Sequence, residues 1–327
     1  MAPLWFQHGS DPLSFRPGAV AHPGNDTVKA SLIITTYNWS EALSLVLASV
    51  ARQTRLPDEV IVADDGSRES TRELLQCTAR DFPVPLRHSW QSDEGFRAAR
   101  SRNRAVAAAR GDYIVMIDGD MVLHPHFIAD HLAHAEPGGY VQGSRVLTSP
   151  DFRERMLADA SMRPGFFTAG IARRRHTLRW PRLARWYLQM AARRRTQPHA
   201  IKTCNQGWWR ADLLRLNGFD ERMVGWGRED EELAWRAHHA GLACRQLRFS
   251  ALAFHLHHTE RHHDGASAND GYLAETLATR SARCALGVDQ HIPEFQHQPL
   301  ADLRDAAGTG DPAGREPTRT AIPGFHV

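Results

Sequence analysis

The sequence predicts an α/β protein whose mostly parallel sheet is covered by helices on both faces. Three observations carry that expectation. The apolar runs SLIIT (31–35), EVIVA (59–63) and YIVMI (113–117) are continuous rather than alternating, as strands buried on both faces must be. Segments of helical periodicity separate them, which is the alternation of a parallel sheet. Each run also ends in small polar residues: Thr36-Tyr37-Asn38, Asp64-Asp65-Gly66-Ser67 and Asp118-Gly119-Asp120. In a parallel sheet these ends share one edge, where open α/β sheets bind ligands.

The elements follow in order. Residues 1–28 hold Pro, Gly, His and Asp without periodicity and read as an irregular leader. Ser31–Thr35 is the first strand. Ser40–Arg52 is helical, with Leu43, Val46, Leu47 and Val50 on one face. Leu56-Pro57 ends that stretch, and Glu59–Ala63 is the second strand. A helix from Glu69 to Arg80, a strand over Pro83–His88 and an Ala/Arg-rich helix from Phe96 to Ala109 come next, the last stopped by Gly111. Tyr113–Ile117 is the fourth strand. Beyond it, strands are expected at Tyr140–Val146, Thr203–Trp209 and Arg248–Leu256, with helices at Asp212–Leu216 and Glu229–Ala240. After Gly287 the chain is rich in Pro, Gly and Asp, so 288–327 is expected to be a flexible tail. One domain over 29–287 results, with halves 29–125 and 126–287.

Composition narrows the function classes. The net charge of +3 over 327 residues is too small to imply nucleic acid. Its distribution says more, because no acidic residue occurs between Asp159 and Asp212 while Arg recurs throughout. The four cysteines, Cys77, Cys204, Cys244 and Cys284, form no C-x-x-C, which fits a reducing compartment. No stretch is long and apolar enough to span a membrane, and His8, Asp11 and Arg16 interrupt any signal-like run. A cytoplasmic protein is expected, free or resting on the inner membrane.

The chemistry sits at the strand ends. Alternation puts Asp118 and Asp120 on one face, and two carboxylates there become favourable around a divalent cation. Taken alone, the pair also fits a surface turn. Tyr37 suits contact with a base, and Asp65 can accept from a base or ribose. The Asp64–Ser67 segment equally fits a plain turn with a Ser cap. Neither a G-x-G-x-x-G nor a Walker A sequence is present, which disfavours dinucleotide binding and P-loop hydrolysis. Arg97 opens its helix, where a cation opposes the macrodipole unless an anion or base is near.

Together SLIITTYN, DEVIVADDGS, GFRAARSRN and GDYIVMIDGDM, over about residues 30–125, resemble family 2 glycosyltransferases of GT-A fold. The resemblance implies nucleotide binding by Thr35, Tyr37, Asn38, Asp65, Arg97 and Asp118. It also implies Mn²⁺ or Mg²⁺ held by Asp118 and Asp120, and inversion of configuration. Further on, Gly225-Trp226-Gly227-Arg228-Glu229-Asp230 is similar to the G-W-G-x-E-D region of chondroitin polymerase and β-1,4-galactosyltransferases. That similarity implies acceptor binding by Trp226 and catalytic roles for Glu229 and Asp230, with Asp230 as base. An aromatic plate beside a carboxylate suits a sugar, apolar on one face and hydroxylated at its rim. In the resembling families a His near the last strand completes the metal site; His255 is the first choice and His258 the second, while His262 and His263 are expected in solvent.

The basic insertion 163–202 places Trp180, Leu183, Trp186, Tyr187 and Met190 on one helical face with Arg beside them. It suits an anionic membrane surface, or equally an arm over the acceptor cleft or a surface facing an acidic polymer. The whole reads as an inverting, metal-dependent transferase. It would move a sugar from a nucleotide-diphosphate donor, a UDP-sugar first, to a glycan or glycolipid hydroxyl in bacterial surface polysaccharide or lipopolysaccharide synthesis. Two alternatives compete with it: a nucleotidyltransferase of similar fold, which leaves W-G-x-E-D unexplained, and a non-enzymatic basic module for anionic lipid or nucleic acid.

Overall fold

The computed structural model describes residues 28–192, 197–198, 201–259 and 268–307. The expected leader, apart from the buried Val28, and His262 and His263 lie outside the described residues. The first half alternates as expected: β1 (Ala30–Thr36), α1 (Ser40–Ala51), β2 (Glu59–Asp64), α2 (Glu69–Ala79), β3 (Leu86–Trp90), α3 (Ala98–Ala108) and β4 (Tyr113–Asp118). Then come β5 (Met121–Leu123), α4 (Phe127–Ala133), β6 (Gly139–Gln142), β7 (Arg145–Leu147), α5 (Pro150–Ala158) and α6 (Pro181–Ala192). The chain continues through β8 (Asn205–Trp209), α7 (Arg210–Leu216), α8 (Glu229–His239), β9 (Ala243–Gln246), β10 (Ala253–His255), α9 (Asp270–Thr279), α10 (Ile292–His297) and α11 (Leu303–Ala307).

Seven strands form one sheet in the order β3-β2-β1-β4-β8-β6-β9. Pairing is parallel from β3 through β4, β8 runs antiparallel to both neighbours, and β9 is again parallel to β6. Side-chain alternation divides the continuous apolar strands between two cores. Leu32, Ile34, Val60, Val62, Val115 and Ile117 enter the core on one face. Ile33, Ile61, Ala63, Ile114 and Met116 enter the other. Burial on both faces is why these strands lack a polar stripe. A small sheet, β5-β10-β7, builds a third core with Val122, Val146, Phe152, Phe254 and Leu256.

Several expectations are corrected. The strand over 140–146 is two strands in different sheets, β6 and β7. The chain leaves the main sheet at Gly143-Ser144, where the Asn205 amide donates to the Ser144 and Ala251 carbonyls at 2.9 Å each. The strand over 248–256 shrinks to β10, and β9 precedes it. Phe249 and Ala251 hold positive φ of 62° and 48°, a conformation no strand continues through. Ala251 N–H donates to the Asp130 carboxylate, which Arg179 clamps. The expected tail is ordered through Ala307. Arg104 pairs with Glu294 of α10 at 2.7 Å, and Leu86 N–H and the Arg87 guanidinium donate to Asp302 and the Leu300 carbonyl. Residues 308–327 lie outside the described residues.

The basic arm also differs in its faces. On α6, Ala184 is buried and Leu188 packs on the main core, an i,i+4 stripe turned inward. Tyr187 lies under the Arg248 guanidinium, 5.1 Å from its ring centre, rather than with the other aromatics. Trp180, Trp186 and Met190 stay exposed.

Candidate active site

The C-terminal ends of β1, β2 and β4 open at one edge of the sheet, as parallel pairing of β1 with both neighbours requires. At the end of β2, Asp64 is fully buried and accepts from Ser67 N–H at 2.7 Å, with His88 Nε2 at 2.8 Å on its other oxygen. Gly66 has φ of +94°, and a Cβ there would lie 2.5 Å from Asp93 Cα, so the turn requires glycine. Asp65 accepts from Gln91 Nε2 at 2.7 Å and from Arg97 N–H at 2.8 Å. Burial raises its pKa against those hydrogen bonds. The Tyr37 ring is exposed beside this turn, its hydroxyl donating to Asp93 at 2.9 Å. Asn38, at φ 49°, receives Arg68 N–H on its side chain and donates its own N–H to Ser67 Oγ.

The guanidinium that enters the site is Arg102, not Arg97. The Arg97 side chain turns outward to Glu94, 3.3 Å away, and only its backbone serves Asp65. Arg102 is buried and donates to Thr35 Oγ1 at 3.2 Å, Glu229 at 3.1 Å and, longer, Asp118 at 3.5 Å. The signal for it lies in the periodicity of α3. Ala98, Ala99, Arg102, Ala105 and Val106 are buried along the face that packs on the sheet, so an Arg among those alanines points inward.

Beyond β4, Asp118 and Asp120 flank Gly119, whose N–H donates to the Thr35 carbonyl at 2.7 Å. Asp120 Oδ2 lies 3.3 Å from both His255 Nε2 and His258 Nε2. The three ligating atoms are all within 4.8 Å of one another. Burial opposes ionisation of Asp120, but the hydrogen bonds from His255 and His258 prevail and hold it near 2. Desolvation raises the Asp118 carboxyl; Arg102 pulls it down and Asp120 pushes it up. The backbone explains why both histidines converge. The β10 strand ends at His255, paired across to Met121 of β5, and Leu256 N–H donates to the Asp120 carbonyl at 2.9 Å. His258 is past the strand end, so its direction escapes alternation. Asp120 Oδ1 is buried and has no hydrogen-bond partner. An orphaned carboxylate oxygen costs stability unless a cation meets it. A carboxylate with two imidazole nitrogens is a donor set for a first-row divalent metal ion. The residues present therefore fit a divalent metal.

Across the cleft, α8 begins at Glu229. Its buried Glu232 pairs with Arg236 at 2.7 Å, and Arg236 also donates to the Leu216 and Gly218 carbonyls. That ties α8 to α7 and fixes the first turn. Glu229 is committed to Arg102, whereas Asp230 accepts Glu231 N–H on one oxygen. Burial and then the Glu229 charge raise Asp230 to about 7, against the pull of Arg102. Trp226 projects from the preceding loop, 61% exposed, between Gly225 and Gly227 at φ of +85° and +100°. The arrangement thus gathers Thr35, Arg102, Asp118 and Glu229 into one network. Asp120, His255 and His258 adjoin it, with Tyr37, Asn38 and Asp65 along the same sheet edge.

Comparison with known proteins gives the family of the chain. The first half and the arm, residues 31–194, match the sequence model of glycosyl transferase family 2, and residues 191–262 match that of the N-terminal domain of galactosyltransferase. Validoxylamine A glucosyltransferase of Streptomyces hygroscopicus subsp. limoneus is 28% identical over 236 residues, covering 69% of this chain and 50% of that protein. Chondroitin synthase of Escherichia coli is 27% identical over 242 residues, covering 69% of this chain and 34% of that protein. The chain thus spans half or less of these relatives' length. Among solved structures, S. aureus TarS superposes with a TM-score of 0.50 at 18% identity, covering 83% of this chain and 43% of that one, a likeness of fold. With a GT-A sheet edge of this form and a family match over half its length, the chain belongs to glycosyl transferase family 2.

Proposed function

We propose that the protein transfers a sugar, with inversion, from a nucleotide-diphosphate donor, a UDP-sugar first, to a hydroxyl of a glycan acceptor. The observation that carries this reading is the convergence of Asp120, His255 and His258 beside Asp118 and Arg102. Asp230, raised to about 7, stands at the helix start next to that network. In this reading Tyr37, Asn38 and Asp65 hold the base and ribose, and Thr35 and Asp118 border the diphosphate. Asp118, Asp120, His255 and His258 would hold Mn²⁺ or Mg²⁺, which when bound supplies Lewis-acid stabilisation of the leaving diphosphate. Arg102 adds fixed positive charge at the same place, buried and always protonated. Trp226 offers its face to the acceptor ring, and Asp230 removes the proton of the attacking hydroxyl. A carboxyl near 7 suits a general base at neutral pH. Glu229 acts by holding Arg102.

The finer assignments are proposals of the same kind. The glucosyltransferase and chondroitin synthase relatives favour a role in polysaccharide or glycolipid assembly. No described helix is long and apolar enough to cross a membrane. We place the exposed Trp180, Trp186 and Met190 of the arm, with Arg182 and Arg185 beside them, against anionic lipid. The nucleotidyltransferase alternative leaves Trp226 and Asp230 without a task. The test is a thermal-shift screen of nucleotide diphosphates with and without Mn²⁺, followed by transfer from the matching nucleotide-sugar. Stabilisation by one nucleotide only when Mn²⁺ is present supports the reading, and no stabilisation by any of them contradicts it.

A further inference from the structure

The chain holds only two lysines, Lys29 and Lys202, while arginine fills the other 38 of its 40 basic positions. Lys29 lies just before β1, at the sheet edge away from the site, its N–H donating to Asp112. Lys202 lies at the edge that carries the site. β8 runs antiparallel to β4 with Asn205 opposite Ile117. The residues before Asn205 therefore pass beyond the end of β4, where Asp118 and Asp120 stand. β6, also antiparallel to β8, ends at Gln142 on the same edge. The buried Gln142 amide grips the lysine's backbone at both its N–H and its carbonyl. Lys202 N–H donates to Gln142 Oε1 at 3.1 Å, and Gln142 Nε2 donates to the Lys202 carbonyl at 3.0 Å. Gln206 Nε2 holds the same Gln142 oxygen at 3.0 Å. The peptide is thus fixed while the lysine side chain stays exposed.

Among the described residues the Lys202 ammonium has no hydrogen-bond or ion-pair partner. Its charge is nevertheless felt on both sides of the cleft. Burial and Glu229 raise the Asp230 carboxyl, and Arg102 and Lys202 pull it down. The Cys204 thiol, raised by burial, responds to Asp118, Arg145, Asp120 and Lys202. The nearby acids leave the lysine free to meet a ligand. Glu229 and Asp118 lie against Arg102, and Asp120 lies against His255 and His258. Arg102 with one divalent cation carries three positive charges, matching Asp118, Asp120 and Glu229. Asp230, raised to about 7, is only partly ionised at neutral pH and does not claim the lysine's charge in full. A nucleotide diphosphate would add negative charge that none of these groups balances. An ammonium is a compact point charge on a flexible stem, suited to a phosphate or carboxylate oxygen.

We infer that Lys202 binds the donor: its ammonium takes an anionic oxygen of the nucleotide-sugar, on the diphosphate or on a carboxylate of the sugar. The inference rests on the glycosyltransferase reading and adds a ligand-binding residue that lies outside the strand-end motifs. Calorimetry on the full chain with Mn²⁺ compares UDP, UDP-glucose and UDP-glucuronate in wild type, Lys202→Gln and Lys202→Arg. If the diphosphate is the partner, Lys202→Gln should weaken all three about tenfold, the scale of one hydrogen bond to a charged group. If a sugar carboxylate is the partner, only UDP-glucuronate should weaken. Lys202→Arg keeps the charge and should recover part of the loss, and both variants should unfold in urea like wild type. Unchanged affinity for all three ligands in Lys202→Gln overturns the inference, as does a loss that Lys202→Arg does not relieve. With two lysines in the chain, amine acylation read by mass spectrometry gives a second measurement. The ligand whose affinity falls should protect Lys202 of wild type from acylation and leave Lys29 unprotected. Equal acylation of Lys202 with and without that ligand overturns the inference. Absence of Mn²⁺-dependent UDP binding by wild type sinks the parent reading and this inference together, whereas binding that Lys202→Gln leaves intact sinks this inference alone.

Discussion

At the scale of single residues, the proposed chemistry turns on Asp230. A carboxyl raised to about 7 by burial and by Glu229 is a base only where it is ionised. The transfer rate should therefore climb with pH through about 7 and level off above it. Asp230→Asn should remove that limb and lower the rate about 10²–10⁴-fold, with donor affinity near wild type; near-normal turnover moves the base elsewhere. Stability should move the other way. Between the ordinary carboxyl value of 3.8 and about 7 the folded protein holds a proton that the unfolded chain releases, so wild-type stability falls as pH rises across that window. Asp230→Asn should then melt higher than wild type at pH 8, with the gap closing towards pH 4, as thermal scans at several pH values would show. The residue level is also where sequence reading was least complete. Asp118, Asp120 and Asp230 stand in short motifs whose spacing is visible. Arg102 does not, because both it and Arg97 sit in a run of Arg and Ala, and only the buried face of α3 separates them. His258 lies beyond the end of β10, where strand alternation no longer tells which way a side chain points.

At the scale of elements, α3 joins residues 29–125 to residues 126–287 through one buried charge. Arg102 touches β1, β4 and α8 at once, and both it and Glu229 are largely buried. Arg102→Ala leaves Glu229 without its partner and should cost about 3–5 kcal/mol of folding free energy. The Arg102→Met, Glu229→Gln pair should recover most of it while activity stays lost. Urea unfolding of these two variants beside wild type measures this, and a cost of Arg102→Ala under about half a kcal/mol means the pair does not organise the cleft. The arm makes its own prediction. Wild type should sediment with anionic vesicles at low salt and release as salt rises, and replacing Trp180 and Trp186 by Ala should abolish the sedimentation. No sedimentation at low salt leaves the arm as a cover for the acceptor cleft. Elements with two buried faces were the legible ones, since β1, β2 and β4 are continuous apolar runs. The short strands β5, β7, β9 and β10 were not resolved from sequence. Their three or four residues are too few for any period to show, and tertiary ties such as Asp130 to Ala251 decide where they end. The helices after 288 were hidden by a polar composition whose stability comes from single anchors such as Phe295, Glu294 and Asp302.

At the scale of the whole molecule, two cores pack the faces of the parallel half, while the third core sets β10, with His255 at its end, against β5. The site is therefore assembled between parts of the fold, and ligand binding should be felt by the molecule as a unit. At a nucleotide concentration a hundred times its Kd, linkage adds about 2.7 kcal/mol to folding, visible as a raised melting temperature only with the cation present. The central claim is that Asp120, with His255 and His258, holds a divalent cation on which nucleotide binding depends. Calorimetric titration of UDP into wild type and Asp120→Ala, each with Mn²⁺ and with a chelator, tests it most directly. The expected result is binding by wild type in Mn²⁺ that disappears with the chelator and in Asp120→Ala, while circular dichroism shows the variant folded. Wild-type affinity for UDP in Asp120→Ala with Mn²⁺ present would contradict it.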